Sequence, residues 1–309
     1  MSKQGRSDKR SLRIVLNGKG AESPAVREAV KKCRHQGHDV QVRVTWESGQ
    51  ASEFAEEAAR AGFDIVVAAG GDGTVNEVAA GVLRAGEASA TAIGIIPLGT
   101  ANDFATGCHV PPDPAKALAL ITSATPRAID VGLINDRPFI NVASAGIGAE
   151  ITSQTPAGMK RALGGAAYSL VGLLKAFTMT PHEGKIITPE GTYVGQMILM
   201  GIANGRMAGG GFRVAPRALL DDGLLDLVIV PDVTLPETGS LVSEMIRLET
   251  EEPERVVYRQ LASFEIEANQ EMQMNLDGEP SHARSFKVSV LPRRLKFLLP
   301  KEAPFKQAT

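Results

Sequence analysis

The sequence predicts an α/β domain built on a parallel sheet, followed by a largely antiparallel β domain. Three observations carry this. The chain has 309 residues, more than one ordinary core needs. Up to about residue 133, short and continuously apolar strand patterns alternate with single helices, as in a parallel sheet covered on both faces. From Ile134 onward, strand patterns follow one another through Gly, Pro, Asn and Asp turns.

The elements follow in order. Ser11–Asn17 is an apolar strand; Ser23 caps and Pro24 opens a helix that runs to Gln36 and stops at Gly37. Asp39–Thr45 alternates Val40, Val42 and Val44 with polar residues, a strand period. Gln50–Ala61 is a helix closed by Gly62, Asp64–Ala69 a strand, Val75–Ala85 a helix, Thr91–Ile96 a strand and Pro114–Ser123 a helix. From Ile134 on, strands are predicted at Phe139–Ser144, Gly195–Ala203, Leu224–Val230, Ser263–Glu267, Met272–Leu276, Phe286–Leu291 and Leu295–Leu299, the second domain being 134–293. Helices are predicted at Gly158–Phe177 and Pro236–Leu248.

Composition narrows the function classes. With 33 basic against 35 acidic side chains and a net charge of −2, a wholesale nucleic-acid binder is excluded. Cys33 and Cys108 cannot form a disulfide framework or a four-thiolate zinc site, which fits a reducing, cytoplasmic setting. No window approaches the ~18 apolar residues of a membrane span, and Leu12–Leu16 is too short, and carries Arg13, for a secretion signal. A soluble cytoplasmic protein is expected. The histidines show no metal-ligand spacing.

Ligands of parallel sheets sit beyond the carboxyl ends of the strands. Gly70-Gly71-Asp72-Gly73-Thr74 follows one such strand and opens a helix; its backbone N–H groups suit phosphate. Pro97-Leu98-Gly99-Thr100-Ala101-Asn102-Asp103-Phe104 follows the next, with Thr100 and Asn102 in reach of phosphate or ribose and Asp103 placed to cap a helix. Neither a P-loop nor a Rossmann fingerprint is present, since Asn76 stands where the third glycine belongs. In the second domain, Asn275-Leu276-Asp277-Gly278-Glu279-Pro280 reads as a hairpin turn carrying two carboxylates. Phosphoryl transfer to a hydroxyl is helped by one carboxylate that accepts the proton and another near metal-bound phosphate. The residues alone leave open which does which. Asp72 beside a triphosphate requires a cation between them. Asp221, Asp222 and Asp226 around Gly223 suit either a solvated turn or a cation loop.

Gly70–Val78 (GGDGTVNEV) and Pro97–Ala105 (PLGTANDFA) resemble the diacylglycerol kinase catalytic family. Val42–Trp46, Asn204–Gly211, Ala218–Leu225 and Asn275–Pro280 are similar to its bacterial YegS-like lipid kinases, over about residues 10–300. The resemblance implies an N-terminal nucleotide domain of the NAD kinase and phosphofructokinase kind and a C-terminal β-sandwich. It also implies a return of the C-terminal segment, residues 294–309, to the first domain. ATP is the implied co-substrate, held by Thr45, the loop Gly70, Gly71, Asp72, Gly73, Thr74, Val75 and Asn76, and Thr100. Glu279 is the implied proton acceptor with Asp277 beside it. Mg2+, with Ca2+ as a substitute, is implied at Asp222 and the carbonyls of Leu219 and Leu224. The sequence departs from the family at Asn17-Gly18-Lys19, where relatives carry Asn-Pro-x-Ser-Gly.

The function implied is transfer of the ATP γ-phosphate to a lipid hydroxyl of the diacylglycerol or phosphatidylglycerol class. The rivals are a soluble-substrate kinase of the NAD kinase kind and a nucleotide-binding module without activity. A lipid kinase without a span must dock reversibly on the inner face of the membrane. Lys3, Arg6, Lys9, Arg10 and Arg13 form a basic N-terminal candidate, and the Met159–Met179 helix an amphipathic one. Oligomeric state is not legible.

Overall fold

The computed structural model describes residues 9–86, 90–146, 182–232 and 237–307. The predicted helix at Gly158–Phe177, like Lys3 and Arg6, lies outside these residues. The chain divides into two compact units. The first holds the residues up to Gly99, then His109–Ala128 and Arg294–Lys301; the second holds Thr100–Cys108, Ile129–Arg293 and the residues from Glu302 on.

The first unit runs β1 (Ser11–Asn17), α1 (Pro24–His35), β2 (Asp39–Thr45), α2 (Gln50–Arg60), β3 (Ile65–Gly70), α3 (Asp72–Arg84) and β4 (Ala92–Pro97). The short helix α4 (Asp103–Gly107) belongs to the second unit, and α5 (Pro114–Ser123) to the first. Local chemistry sets the ends. The Ser23 hydroxyl accepts the Val26 N–H at 3.4 Å ahead of Pro24, and the Asp113 carboxylate accepts the Lys116 N–H at 2.9 Å ahead of Pro114. The strands are parallel in the order β4-β3-β1-β2. Leu12, Ile14 and Leu16 of β1 face Val26, Val30 and Cys33 of α1 and Leu118 and Ile121 of α5. Residues 294–301 add a further parallel position, with Phe297 paired to Ile93 and the Leu298 N–H on the Ile93 carbonyl at 2.8 Å.

The return to the first unit ends at Lys301 instead of covering 294–309. The following residues are held in the second unit: the Pro304 carbonyl accepts the Leu220 N–H at 2.9 Å and the Lys306 N–H donates to Asp221 at 2.6 Å. Two of the five basic residues proposed for the membrane are also spent internally. The Arg10 guanidinium donates to the Ile121 and Ala124 carbonyls at the C-terminal end of α5, and Arg13, 3% exposed, pairs with Glu57 at 3.2 Å.

The second unit contains β5 (Arg127–Ile134), β6 (Arg137–Phe139), β7 (Val142–Gly146), β8 (His182–Thr188), β9 (Gly191–Ala203), β10 (Met207–Ala208) and β11 (Phe212–Arg213). Then come β12 (Leu225–Pro231), α6 (Thr238–Arg247), β13 (Val257–Leu261), β14 (Ser263–Leu276) and β15 (Glu279–Phe297). Its main sheet is antiparallel in the order β13-β12-β9-β7-β14-β15, with β8 against β9 and β14. The period of two is visible in the packing. Leu225, Leu227 and Ile229 of β12 join one core, while Val228 and Val230 join another with Leu241, Met245 and Leu248 from α6 and its end. The two strands predicted at 263–267 and 272–276 are one strand, irregular between Glu267 and Met272, where polar residues interrupt the alternation.

Candidate functional site

In the first unit the registers bring the sequence-predicted loops to one edge. Asn17 pairs with Thr45, Leu16 with Ala69, and Gly70 with Pro97, so β2, β1, β3 and β4 end in a row. The Leu98 N–H bonds to the Gly70 carbonyl at 2.8 Å and fastens the second glycine loop to the first. Helix α3 begins at this edge with Gly71 as its N-cap and no side-chain cap bond, so the helix start keeps backbone donors and its positive end for an anionic ligand.

The glycines serve by closeness. None of Gly70, Gly71 and Gly73 has a positive φ. A Cβ on Gly70 would overlap the Thr74 hydroxyl, and one on Gly71 would lie 3.2 Å from the Gly99 Cα. Val75 is built into the helix, its side chain 2% exposed and its N–H bonded to the Gly71 carbonyl at 3.1 Å. Asp72 and Asn76 are half-buried and Gly73 is exposed. Thr45 ends β2 beside Asn17, whose side chain accepts the Gly20 N–H at 2.8 Å.

Thr100, exposed, and Asn102 fall in the second unit. Asp103, predicted as a helix cap, sits inside α4, a helix of five residues with Asn102 at its N-cap. Its carboxylate instead accepts the N–H groups of Gly210 and Gly211 at 2.9 and 2.6 Å. That pairing links two of the motifs, and their sequence separation hid it.

The β14–β15 turn is a two-residue hairpin: Leu276 pairs with Glu279, and Asp277 and Gly278 have φ of 49° and 103°. Asp277 does not stand open at the turn. Its carboxylate accepts the backbone N–H groups of Ile140 at 2.7 Å, Asn141 at 3.1 Å and Val142 at 2.9 Å, which fixes the segment leading into β7. Glu279, two residues on, is exposed, and its carboxylate has no partner among the described residues. The structure thus separates two acids that the residues alone left equivalent.

The loop 218–226 gathers carboxylates. Asp222 accepts the Leu224 N–H at 3.0 Å, and Asp130 accepts the Gly223 N–H at 2.7 Å and the Arg293 N–H at 2.6 Å. Burial holds Asp222 and Asp130 above the usual carboxylate range against the pull of those hydrogen bonds, helped by the Asp130 charge at Asp222 and by the Asp221 charge at Asp130. Asp226, 1% exposed, is pushed up to about 7 by burial despite bonds from the Tyr258 hydroxyl at 2.5 Å and Gln260 at 3.2 Å. Asp222 and the Leu219 and Leu224 carbonyls carry hard oxygens of the kind Mg2+ takes, but among the described residues no group of three or more His, Cys, Asp or Glu side chains is placed to hold a metal ion. Asp130 was not anticipated, because it sits in an apolar strand without turn residues around it.

A parallel sheet with glycine loops at its carboxyl edge, joined to an antiparallel unit that carries a lone carboxylate on a tight hairpin, is the framework of a nucleotide-dependent kinase. Comparison with known proteins narrows that class. Residues 11–134 match the diacylglycerol kinase catalytic domain, and residues 141–299 match the YegS C-terminal NAD kinase beta sandwich-like domain. A protein of Chromohalobacter salexigens named "Probable lipid kinase YegS-like" is 45% identical over 93% of this chain and 92% of its own. One of the same name from Klebsiella pneumoniae is 42% identical over 94% and 96%. The crystal structure of a diacylglycerol kinase from Bacillus anthracis superposes with a TM-score of 0.75 at 25% identity, covering 95% of this chain and 98% of that one. The chain belongs to the YegS-like lipid kinase family, with a diacylglycerol kinase catalytic domain and a β-sandwich-like C-terminal domain.

Proposed function

We propose that the protein is an ATP-dependent lipid kinase that transfers the γ-phosphate of ATP to a hydroxyl of a diacylglycerol- or phosphatidylglycerol-class lipid. The observation that carries this is the glycine-capped start of α3 at the carboxyl edge of a parallel sheet, in a chain of this family. The N–H groups at the helix start hold the triphosphate and Thr45 meets the ribose or base, with Thr100 as a further contact. Glu279 accepts the proton as the lipid oxygen attacks the γ-phosphorus, and ADP leaves. Asp277 holds the backbone that frames the hairpin. Phosphoryl transfer depends on positioning and charge neutralisation, so a proton acceptor in a defined place suffices for the chain's covalent part.

Mg2+ suits two places on chemical grounds. Asp72 beside a triphosphate needs a neutralising cation, and Asp222 with the Leu219 and Leu224 carbonyls suits a structural one, which would favour the charged carboxylates that burial disfavours at Asp222 and Asp130. When bound, the first supplies charge neutralisation to the triphosphate. We place the enzyme in the cytoplasm, at the inner membrane face. Its use of ATP and its two buried free thiols, Cys33 and Cys108, support that location. Radiolabelled ATP offered with a total lipid extract, and separately with a soluble metabolite pool, tests the reading. Label in the organic phase is the expected result; label confined to the soluble pool identifies a soluble-substrate kinase, and none in either a binding module.

A further inference from the structure

The exposed indole of Trp46 is unexplained by anything above. It is the single tryptophan of the chain and is 90% exposed, the most exposed of the large apolar side chains among the described residues. It directly follows Thr45, the last residue of β2 at the carboxyl edge. Its backbone is held from two sides. Gln50 at the start of α2 accepts the N–H groups of Trp46 and Glu47 at 2.7 and 3.2 Å. Glu77, on the helix that begins at the glycine loop, accepts the N–H groups of Gly49 and Ala51 at 3.0 and 3.2 Å. The turn that presents the indole is therefore tied to the helix whose N-terminus faces the phosphates. A large flat ring kept in water on a braced turn is a stacking surface waiting for a partner.

Dimensions select the partner. β2 lies two strand positions from β3 through β1, on the order of 10 Å at about 4.8 Å per strand. That span is comparable with the distance from the α-phosphate to the base of an extended nucleotide. With the triphosphate at the start of α3, the base arrives at the end of β2. The geometry points to Trp46 as the residue on which the adenine ring stacks, with Gln50 and Glu77 positioning it. This inference rests on the nucleotide reading of the same edge.

Because the tryptophan is unique, its emission reports on this one place. Titration of the wild-type protein with ATP and with adenosine, followed by tryptophan fluorescence and in parallel by calorimetry, should show a saturable change whose midpoint equals the calorimetric Kd. Trp46→Ala should raise the KM for ATP about tenfold with kcat at saturating ATP kept within about twofold, and Trp46→Phe should recover most of the loss. Glu77→Gln should give a smaller rise in KM. If calorimetry shows ATP binding while fluorescence stays unchanged and Trp46→Ala keeps the wild-type KM, the stacking assignment is wrong and the nucleotide reading survives. If the wild type binds no ATP at all, both fall. If the emission answers to phosphatidylglycerol vesicles and not to nucleotide, and Trp46→Ala loses vesicle co-sedimentation alone, the ring is a membrane contact and the proposal is overturned.

Discussion

The turn at Gly71–Gly73 in the first unit and the turn at Asp277–Gly278 in the second both place an Asp-Gly pair after a strand, yet their polar groups are disposed in opposite ways. At the first, the pair enters a helix of 13 residues that begins on a glycine without a cap. At the second, both residues take positive φ, and the aspartate oxygens are filled by three backbone N–H groups. One turn keeps donors for a ligand, and the other consumes its acceptors to hold its own frame. The same dipeptide therefore carries no fixed role. What decides is whether the chain continues as a helix or folds back as a strand, and which segment lies within reach of the carboxylate.

That contrast can be broken by substitution. The largest effect is expected at the one hairpin carboxylate left open: Glu279→Gln should slow single-turnover phosphate transfer by about 10²–10⁴ with ATP affinity kept, and transfer at the wild-type rate would remove Glu279 from the chemistry. Gly71→Val should weaken ATP binding by at least about tenfold, roughly 1.4 kcal/mol by calorimetry, because a Cβ crowds the Gly99 backbone and the phosphate's approach. Asp277→Asn should do the reverse. It should lose on the order of 2–3 kcal/mol of stability in urea, since a neutral amide oxygen replaces a carboxylate shared by three N–H groups, and keep ATP affinity. Normal stability with lost nucleotide binding would invert the comparison. Asp222→Ala should abolish a Mg2+-dependent stabilisation of about 1–3 kcal/mol, and a wild-type melting temperature indifferent to EDTA would count against a structural ion.

The smallest effect sharpens the contrast at the other end of the first sheet. The Ser11 N–H and hydroxyl hold Asp64 below its ordinary value. A depressed folded-state value means that its contribution is present above the unfolded value of about 3.9 and is lost as pH falls through the folded one. Asp64 is exposed, so only a few tenths of a kcal/mol are at stake. Asp64→Asn should flatten the acid limb of the stability curve by that amount, and an unchanged limb would leave the pairing without thermodynamic weight.

The first unit was legible because its signals are local. β1, β2 and α5 coincide with the predicted Ser11–Asn17, Asp39–Thr45 and Pro114–Ser123, marked in turn by an apolar run, a strict alternation and an N-cap. α3 starts at Asp72 and not at Val75: Gly73, which reads as loop, takes helical backbone with no positive φ, while Gly71 stays extended as the N-cap. In the second unit the long strands were read in pieces. Pro292 and the left-handed Arg293 look like a break but lie inside β15, and β8 and β13 were missed where charged residues cover the exposed face. Motifs brought the candidate site residues into view, but not the contacts that distinguish them. Asp103 reaching Gly210 and Gly211, Asp130 reaching Gly223 and Arg293, and Glu77 reaching Gly49 are contacts across 28 to 163 positions. No local pattern encodes such a contact.

The interleaving of the two units has a consequence during synthesis on the ribosome. The first unit lacks the parallel position beside Ile93 until Phe297 has emerged, and the second lacks the partners of Leu220 and Asp221 until Pro304 and Lys306 have. An emerging chain therefore holds no finished half that could be released and proofread early. Both halves stay open until these residues have emerged, and a ribosome that stalls near residue 290 leaves an unfinished edge on each.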